Sequence, residues 1–350
     1  MTKNRVGVNP DRLFRECGHL LEPGLWFRHG YGLYRVDRDT WLTRRLQRRG
    51  IRGEPGGAGV VVRNVIRLLN HPQHLRWHRA IGCGEARGCE VRLGEQYAVV
   101  LDRQREWVWK TPYGERFPEF QVTAVQLMQR HLPMEGVTFS GDGRTMREPF
   151  VDGSDFNALD DVCKLEGFRR LVESFAEYIQ QVAASHQTFI HDHDFTTNTE
   201  FQRLVQRAGT HYFGEAAGAM MAAIESIPRV PVQADLSGSN LLVDERTGQL
   251  RIIDFERIAV LPWLTDILWL AVTQMNKGST ILMESLFAGE FDDLLGSRPW
   301  FLLAGGAYLY KKASDAWQFG LEAKPLATSG VHDKLKRAAA RSGVGQQGAQ

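Results

Sequence analysis

Gln233-Ala-Asp-Leu-Ser-Gly-Ser-Asn240, with Ile252-Ile-Asp-Phe-Glu256 downstream, is the stretch whose reading decides the fold. Asp235 and Asn240 lie five positions apart on a Gly/Ser loop, and Asp254 follows Asn240 by 14 positions. Between them, Leu241-Leu-Val243 and Leu250-Arg-Ile-Ile253 read as two short apolar strands joined by the turn Asp244-Glu-Arg-Thr-Gly248. Folding the second strand back on the first brings Asn240 close to Asp254. Carboxylate and amide oxygens converging at a strand end are hard ligands, suited to Mg²⁺ shared with phosphates.

Outward from this stretch the chain divides by texture. Upstream, Glu90-Val-Arg-Leu93, Tyr97-Ala-Val-Val-Leu-Asp102 and Glu106-Trp-Val-Trp-Lys-Thr111 are β-rich runs at the spacing of an antiparallel meander. Glu119 to His131 reads as a helix closed by Pro133, and Gly141-Asp-Gly143 as the turn of a hairpin between strands at 137–139 and 145–151. Gly153 reads as a hinge. Beyond it, Val162 to Ala184 carries Leu165, Phe168, Leu171, Phe175, Ile179 and Val182 at close to a 3.6 period. Further helices are expected over 214–227, 264–274 and 300–319, with a strand at Val230-Pro-Val232. The series Trp263, Trp269, Trp300 and Trp317 reads as core of this helical part.

With 350 residues, 43% of them hydrophobic, the chain is long enough to split its core into more than one lobe. The net charge of +2 is too near balance to imply nucleic acid. The basic residues are nevertheless uneven: residues 1–90 hold 17 Lys and Arg against 8 Asp and Glu, and Arg44, Arg45, Arg48, Arg49 and Arg52 crowd together. That cluster is either a solvated helix face or a surface for an anionic membrane or glycolipid. Cys17, Cys83, Cys89 and Cys163 are too few and irregular for a disulfide framework, and Cys83 and Cys89 lack the second pair a zinc site needs. No signal peptide is expected, since Met1-Thr-Lys-Asn-Arg5 leads into no apolar segment, and the longest apolar run, Ile258 to Val272, contains Pro262 and Asp266 and is too short to span a bilayer. A cytoplasmic location is expected.

Asp-x-x-x-x-Asn followed by an apolar hairpin and Ile-Asp-Phe resembles the catalytic and metal-binding segments of protein-kinase-like phosphotransferases. The resemblance is nearest to the aminoglycoside phosphotransferase and choline kinase branch. Val182-Ala-Ala-Ser-His186 resembles a helix end of that branch, 49 positions ahead of Asp235, leaving room for its helical insert. Asp266, in Leu264-Thr-Asp-Ile-Leu268, stands where the branch has an Asp that caps a helix and braces the catalytic loop.

The resemblance implies an α+β fold with two lobes, a small antiparallel-sheet N-lobe and a larger, mainly helical C-lobe. It implies an N-lobe at 76–152 and a C-lobe at 153–325 with an insert at 187–230; composition alone sets apart a basic N-terminal extension at 1–75 and a tail at 326–350 expected to be disordered. It further implies a phosphotransferase using ATP and Mg²⁺, with a hydroxyl of a small molecule, sugar or glycolipid head group as acceptor. Asp235 would receive or orient the acceptor proton, and Asn240 and Asp254 would hold Mg²⁺. Lys110 would steady the α- and β-phosphates with Glu119 as its partner, and the backbone around Glu148, Phe150 and Val151 would meet adenine.

Three departures qualify the match. Gln233 stands where His is usual, Glu256 where protein kinases have Gly, and Thr123 where the lysine's glutamate is expected, so Glu119 is taken instead. The glycine-rich phosphate loop is left between Gly82-Cys-Gly-Glu-Ala-Arg-Gly88 and the turn at Gly94. Two other function classes stay open: a catalytically silent, kinase-shaped binding protein, and a protein kinase, the latter weakened by the short segment between Asp254 and Asp266. His191-Asp-His-Asp194 reads as an exposed loop rather than a metal cluster.

Overall fold

A computed structural model describes residues 24–29, 32–35, 75–78, 90–93, 97–102, 106–112, 116–134, 136–244, 246–255, 257–319 and 330–342. The arginine cluster at 44–52, the linker at 53–59, the helical pattern at 65–69, both candidate glycine loops and residues 343–350 fall outside the described residues. The chain is α+β and forms two compact units, one of residues 1–118 and 136–150, the other of 119–135 and 151–350.

The first unit is built on an eight-stranded sheet in which every neighbouring pair is antiparallel. Its strands are β1 (Gly24–His29), β2 (Gly32–Arg35), β3 (Leu75–His78), β4 (Glu90–Leu93), β5 (Tyr97–Asp102), β6 (Trp107–Pro112), β7 (Thr138–Phe139) and β8 (Met146–Pro149). Their order is β3-β1-β2-β4-β5-β6-β8-β7. This corrects the division at 75/76: β1 and β2 belong to the extension proposed from sequence, yet they pair with β3 and β4 and are integral to the sheet. The meander expected over 90–111 is β4–β6. The β7–β8 hairpin turns on Ser140-Gly-Asp-Gly143, where Asp142 accepts hydrogen bonds from Ser140 Oγ at 2.6 Å and Arg144 N at 3.1 Å.

Side chains alternate across β6 as a strand requires. Arg147 lies over Trp107, 4.0 Å from the ring centroid, and 5.6 Å from that of Trp109. Lys110 and Glu148 share the other face on adjacent strands, as diagonal neighbours about the Val108–Glu148 pair.

The second unit is mainly helical. Its helices are α1 (Glu119–Met128), α2 (Asp161–Ser185), α3 (Gln187–His193), α4 (Thr199–Phe213), α5 (Ala217–Glu225), α6 (Leu264–Asn276), α7 (Ile281–Phe287), α8 (Asp292–Leu295), α9 (Trp300–Phe319) and α10 (Val331–Arg341). The 3.6-residue pattern of α2 buries Phe168, Leu171, Phe175, Tyr178 and Val182, and Asp160 caps its first turn by accepting from Cys163 N at 2.8 Å. Packing of α9 against α5 depends on Gly306: a Cβ there would come within 2.3 Å of the Met220 carbonyl oxygen and 2.7 Å of Ile224 Cβ. Trp263 and Trp300 are core residues as expected; Trp269 and Trp317 are only half-buried.

Two small sheets complete this unit. One has the order β12-β11-β9, from Leu250–Ile252, Leu241–Asp244 and Gly153–Asp155; the other pairs β10 (Arg229–Val232) with β13 (Ala259–Pro262). Gly153, read as a hinge, opens β9 and pairs with Asp244. His191 and His193 lie on α3, a short helix instead of the expected loop. The disordered tail expected from 326 is also corrected, because Val331, Leu335 and Ala338 bury one face of α10. Among the described residues, no helix is long and apolar enough to cross a membrane.

Candidate functional site

The hairpin of β11 and β12 sets the register of the site. Leu241 pairs with Ile252, so Asn240 falls opposite Ile253, whose N–H donates to the Asn240 carbonyl at 2.9 Å. Asp254 follows immediately, in the left-handed region at φ +68°, a conformation Asp tolerates better than most residues. The Asn240 side chain reaches back along its own loop, Nδ2 donating to the Asp235 carbonyl at 3.0 Å. Asn240 thus fastens the loop bearing Asp235, through its side chain, to the strand end bearing Asp254, through its backbone carbonyl.

Gln233 makes a second fastening. Its buried Nε2 donates to the carbonyls of Ile253 at 2.6 Å and Asp254 at 2.8 Å. The departure noted at this position is therefore structurally accommodated: a side-chain donor joins the two segments. The Gln233 N–H donates to Asp266 Oδ2 at 2.8 Å, and the other Asp266 oxygen has no hydrogen-bond partner among the described residues. Burial in the first turn of α6 pushes the Asp266 carboxyl up to about 7, against the Gln233 N–H and Lys311, which pull it down. The loop also carries Ala234 at φ +58°, which costs a non-glycine residue about 1 kcal/mol. Gly238 crosses the Asn157–Gln274 hydrogen bond so closely that a Cβ would sit 2.3 Å from Asn157 Oδ1.

Asp235 is held by cations that the sequence reading did not assign. Lys311 Nζ, on α9, is 3.3 Å from its Oδ1, and Arg257 Nη1, just ahead of β13, is 3.6 Å from its Oδ2. Both cations also bond Asp315, one turn along α9 from Lys311; the Arg257 contact is 3.2 Å. Lys311 is 1% exposed and Asp235 is 28% exposed at the side chain. Burial raises the Asp235 carboxyl above the usual range, and Lys311 and then Arg257 oppose it. A carboxylate so placed can take a proton from a bound hydroxyl while its charge stays compensated.

On the sheet unit, Lys110 Nζ is 3.2 Å from Glu148 Oε1, both side chains buried. Glu148, expected to contribute only backbone, is the carboxylate set against Lys110; Glu119 is an exposed first-turn residue of α1. The Phe150 N–H, expected at a base, donates to the Glu106 carbonyl at 2.7 Å. Val151 is half-buried, and His186 caps the C-terminus of α2 with its Nδ1 2.7 Å from Ser185 Oγ. His193 packs on Phe120 and Phe189, and Asp194 pairs with Arg229 at 3.4 Å. Among the described residues, no group of three or more His, Cys, Asp or Glu could hold a metal ion.

No protein-family model matches the sequence, and no curated protein matches it. Solved structures similar to the chain include a choline/ethanolamine kinase family protein from Mesorhizobium loti, at 15% identity and a TM-score of 0.43, covering 75% of this chain and 89% of that one. Wild-type aminoglycoside 2′-phosphotransferase, in its GDP complex, is 16% identical with a TM-score of 0.43, covering 71% and 90%. An ethanolamine kinase from Plasmodium vivax is 12% identical with a TM-score of 0.42, covering 75% and 83%.

Proposed function

We propose that this protein is a phosphotransferase that moves the γ-phosphoryl group of ATP, with Mg²⁺, to a hydroxyl of a small molecule, sugar or glycolipid head group. The observation that carries the reading is the fastening of two segments: Asn240 bonds the loop of Asp235 through its side chain and the strand end before Asp254 through its backbone. Phosphoryl transfer is mostly positioning and charge neutralisation, which so small a set of oxygens and cations can supply.

The donor set suits Mg²⁺. With Nδ2 given to the Asp235 carbonyl, Asn240 Oδ1 would serve as one hard oxygen and the carboxylate of Asp254 as another, their backbones being joined through the Ile253 N–H. A site of two protein oxygens leaves its other positions to phosphates and water, as Mg²⁺ prefers. Bound there, the cation would neutralise charge on the nucleotide phosphates. Lys110, held by Glu148, is assigned to the α- and β-phosphates.

In the transfer itself, the acceptor oxygen forms a bond to the γ-phosphorus as the bond to the β-bridging oxygen breaks and ADP leaves with that electron pair. The hydroxyl proton passes to an oxygen of Asp235. Lys311 and Arg257 hold that carboxylate in place, and Gln233 and Asp266 fix the loop that carries it.

Asp235→Ala tests the assignment. Lys311 and Arg257 keep Asp315 as a partner, so the variant should fold and bind Mg²⁺–ATP. Acceptor-dependent ADP release should fall by about a thousandfold or more. Turnover within tenfold of the wild-type protein would remove Asp235 as the base.

A further inference from the structure

The surroundings of Asp235 have a charge of their own. Asp235 and Asp315 contribute two negative charges; Arg257, Lys311 and Lys312 contribute three positive ones. Lys311 and Arg257 are both engaged with the two carboxylates. Lys312 forms no ion pair among the described residues. Its Nζ instead lies 5.0 Å from the Trp269 ring centroid and 5.6 Å from that of Tyr308. Burial lowers the pKa of this amine, with Asp315 and Asp235 pulling the other way and Lys311 and Arg257 adding to the depression.

Two consequences bear on the acceptor, given the assignment of Asp235 as the base. A hydroxyl bonded to Asp235 brings its neighbouring substituents close to the Lys311 ammonium and the Arg257 guanidinium. The aromatic surface that could stack on an acceptor's ammonium is also occupied, since Trp269 already carries Lys312 and, at 5.2 Å, Lys311. With Lys311 and Arg257 offset by the two carboxylates, an aminated or quaternary acceptor would meet the surplus positive charge of Lys312, and that repulsion selects against it. An anion meets Lys312 with no competing carboxylate paired to it.

We propose that the acceptor carries an anionic group, a carboxylate or a phosphate, close to the hydroxyl that is phosphorylated, and that Lys312 binds this group. The inference rests on the phosphotransferase reading and deepens it by naming the substrate class. Lys312 is then the residue that sets acceptor specificity, while Lys311 and Arg257 hold Asp235.

The test uses the full-length protein saturated with Mg²⁺ and the non-hydrolysable nucleotide AMP-PNP. Glucose, glucosamine, glucuronate and glucose 6-phosphate are titrated separately and the melting temperature is followed. These probes share a pyranose ring and differ in charge. Glucuronate or glucose 6-phosphate should raise the melting temperature, and the one that acts more strongly distinguishes a carboxylate from a phosphate. Glucose and glucosamine should bind about tenfold or more weakly by comparison. Lys312→Gln should abolish the preference, and Lys312→Arg should keep it. Responses to glucose or glucosamine equal to those of the anions, no response to either anion, or an undiminished preference in Lys312→Gln would each overturn the proposal. The rise caused by Mg²⁺ and AMP-PNP alone, read before any sugar is added, reports separately on the phosphotransferase reading; its persistence in Lys312→Gln shows that the variant is folded.

Discussion

Replacing Asp266 with Asn should flatten the pH dependence of stability and raise stability at neutral pH. Asp266 is 1% exposed, and burial, its largest perturbation, moves its carboxyl from 3.8 to about 7. An acid whose pKa is higher in the native state keeps its proton there after the unfolded chain has lost its own. Native stability therefore falls as pH rises from about 4 to about 7 and levels off above. The rise of about three pH units corresponds to about 4 kcal/mol in total, or about 1.4 kcal/mol per pH unit. Asn does not titrate, and its Oδ1 still accepts from the Gln233 N–H, so Asp266→Asn removes the slope while keeping the loop's brace. Calorimetric melting at pH 5, 6 and 7 makes the comparison. At about 3 °C per kcal/mol for a unit of this size, the wild-type protein should lose about 4 °C more per pH unit than the variant. The histidines are present in both proteins, so their contributions cancel. Parallel melting curves across this range would refute the placement of a protonated Asp266 beneath the loop.

Two further substitutions probe the loop and its cations. Gly238→Ala would place a methyl group on the Asn157–Gln274 bond; it should cost about 2 kcal/mol by overpacking and lower turnover more than nucleotide affinity, read as a split between kcat and the nucleotide Kd. Lys311→Met would leave Asp235 and Asp315 to share Arg257, and should cost about 3 kcal/mol in denaturant unfolding along with most of the turnover.

Local pattern carried the centre of the site. Asn240 and Asp254 flank a predicted hairpin whose strands do pair, Leu241 on Ile252, so that their backbones adjoin; the role of these residues with Asp235 belongs to the proposal. The long helices were legible for a similar reason, since Leu171, Phe175 and Val182 recur at the helical period and are buried on α2. Lys311, Asp315 and Arg257 were not legible. Lys311 and Asp315 are spaced as any surface pair on a helix would be, and nothing local records that α9 passes beside a loop 76 positions earlier in the chain. β13 was missed because Ala259–Pro262 merges with the apolar run of α6, where a strand and a buried helix look alike. β1 and β2 were hidden by the arginine-rich composition around them. The Lys110–Glu148 contact was overlooked for another reason: the search for a carboxylate went to the following helix and passed over the diagonal neighbour on β8.

The most direct test of the account is the melting temperature of the purified protein with ATP, with and without Mg²⁺, in the wild-type sequence and in Asp254→Ala. A nucleotide in hundredfold excess over its Kd stabilises the native state by about 2.7 kcal/mol, a rise of several degrees. The account predicts that this rise needs Mg²⁺ and is lost in Asp254→Ala. A rise that ignores Mg²⁺, survives in Asp254→Ala, or never appears would contradict it.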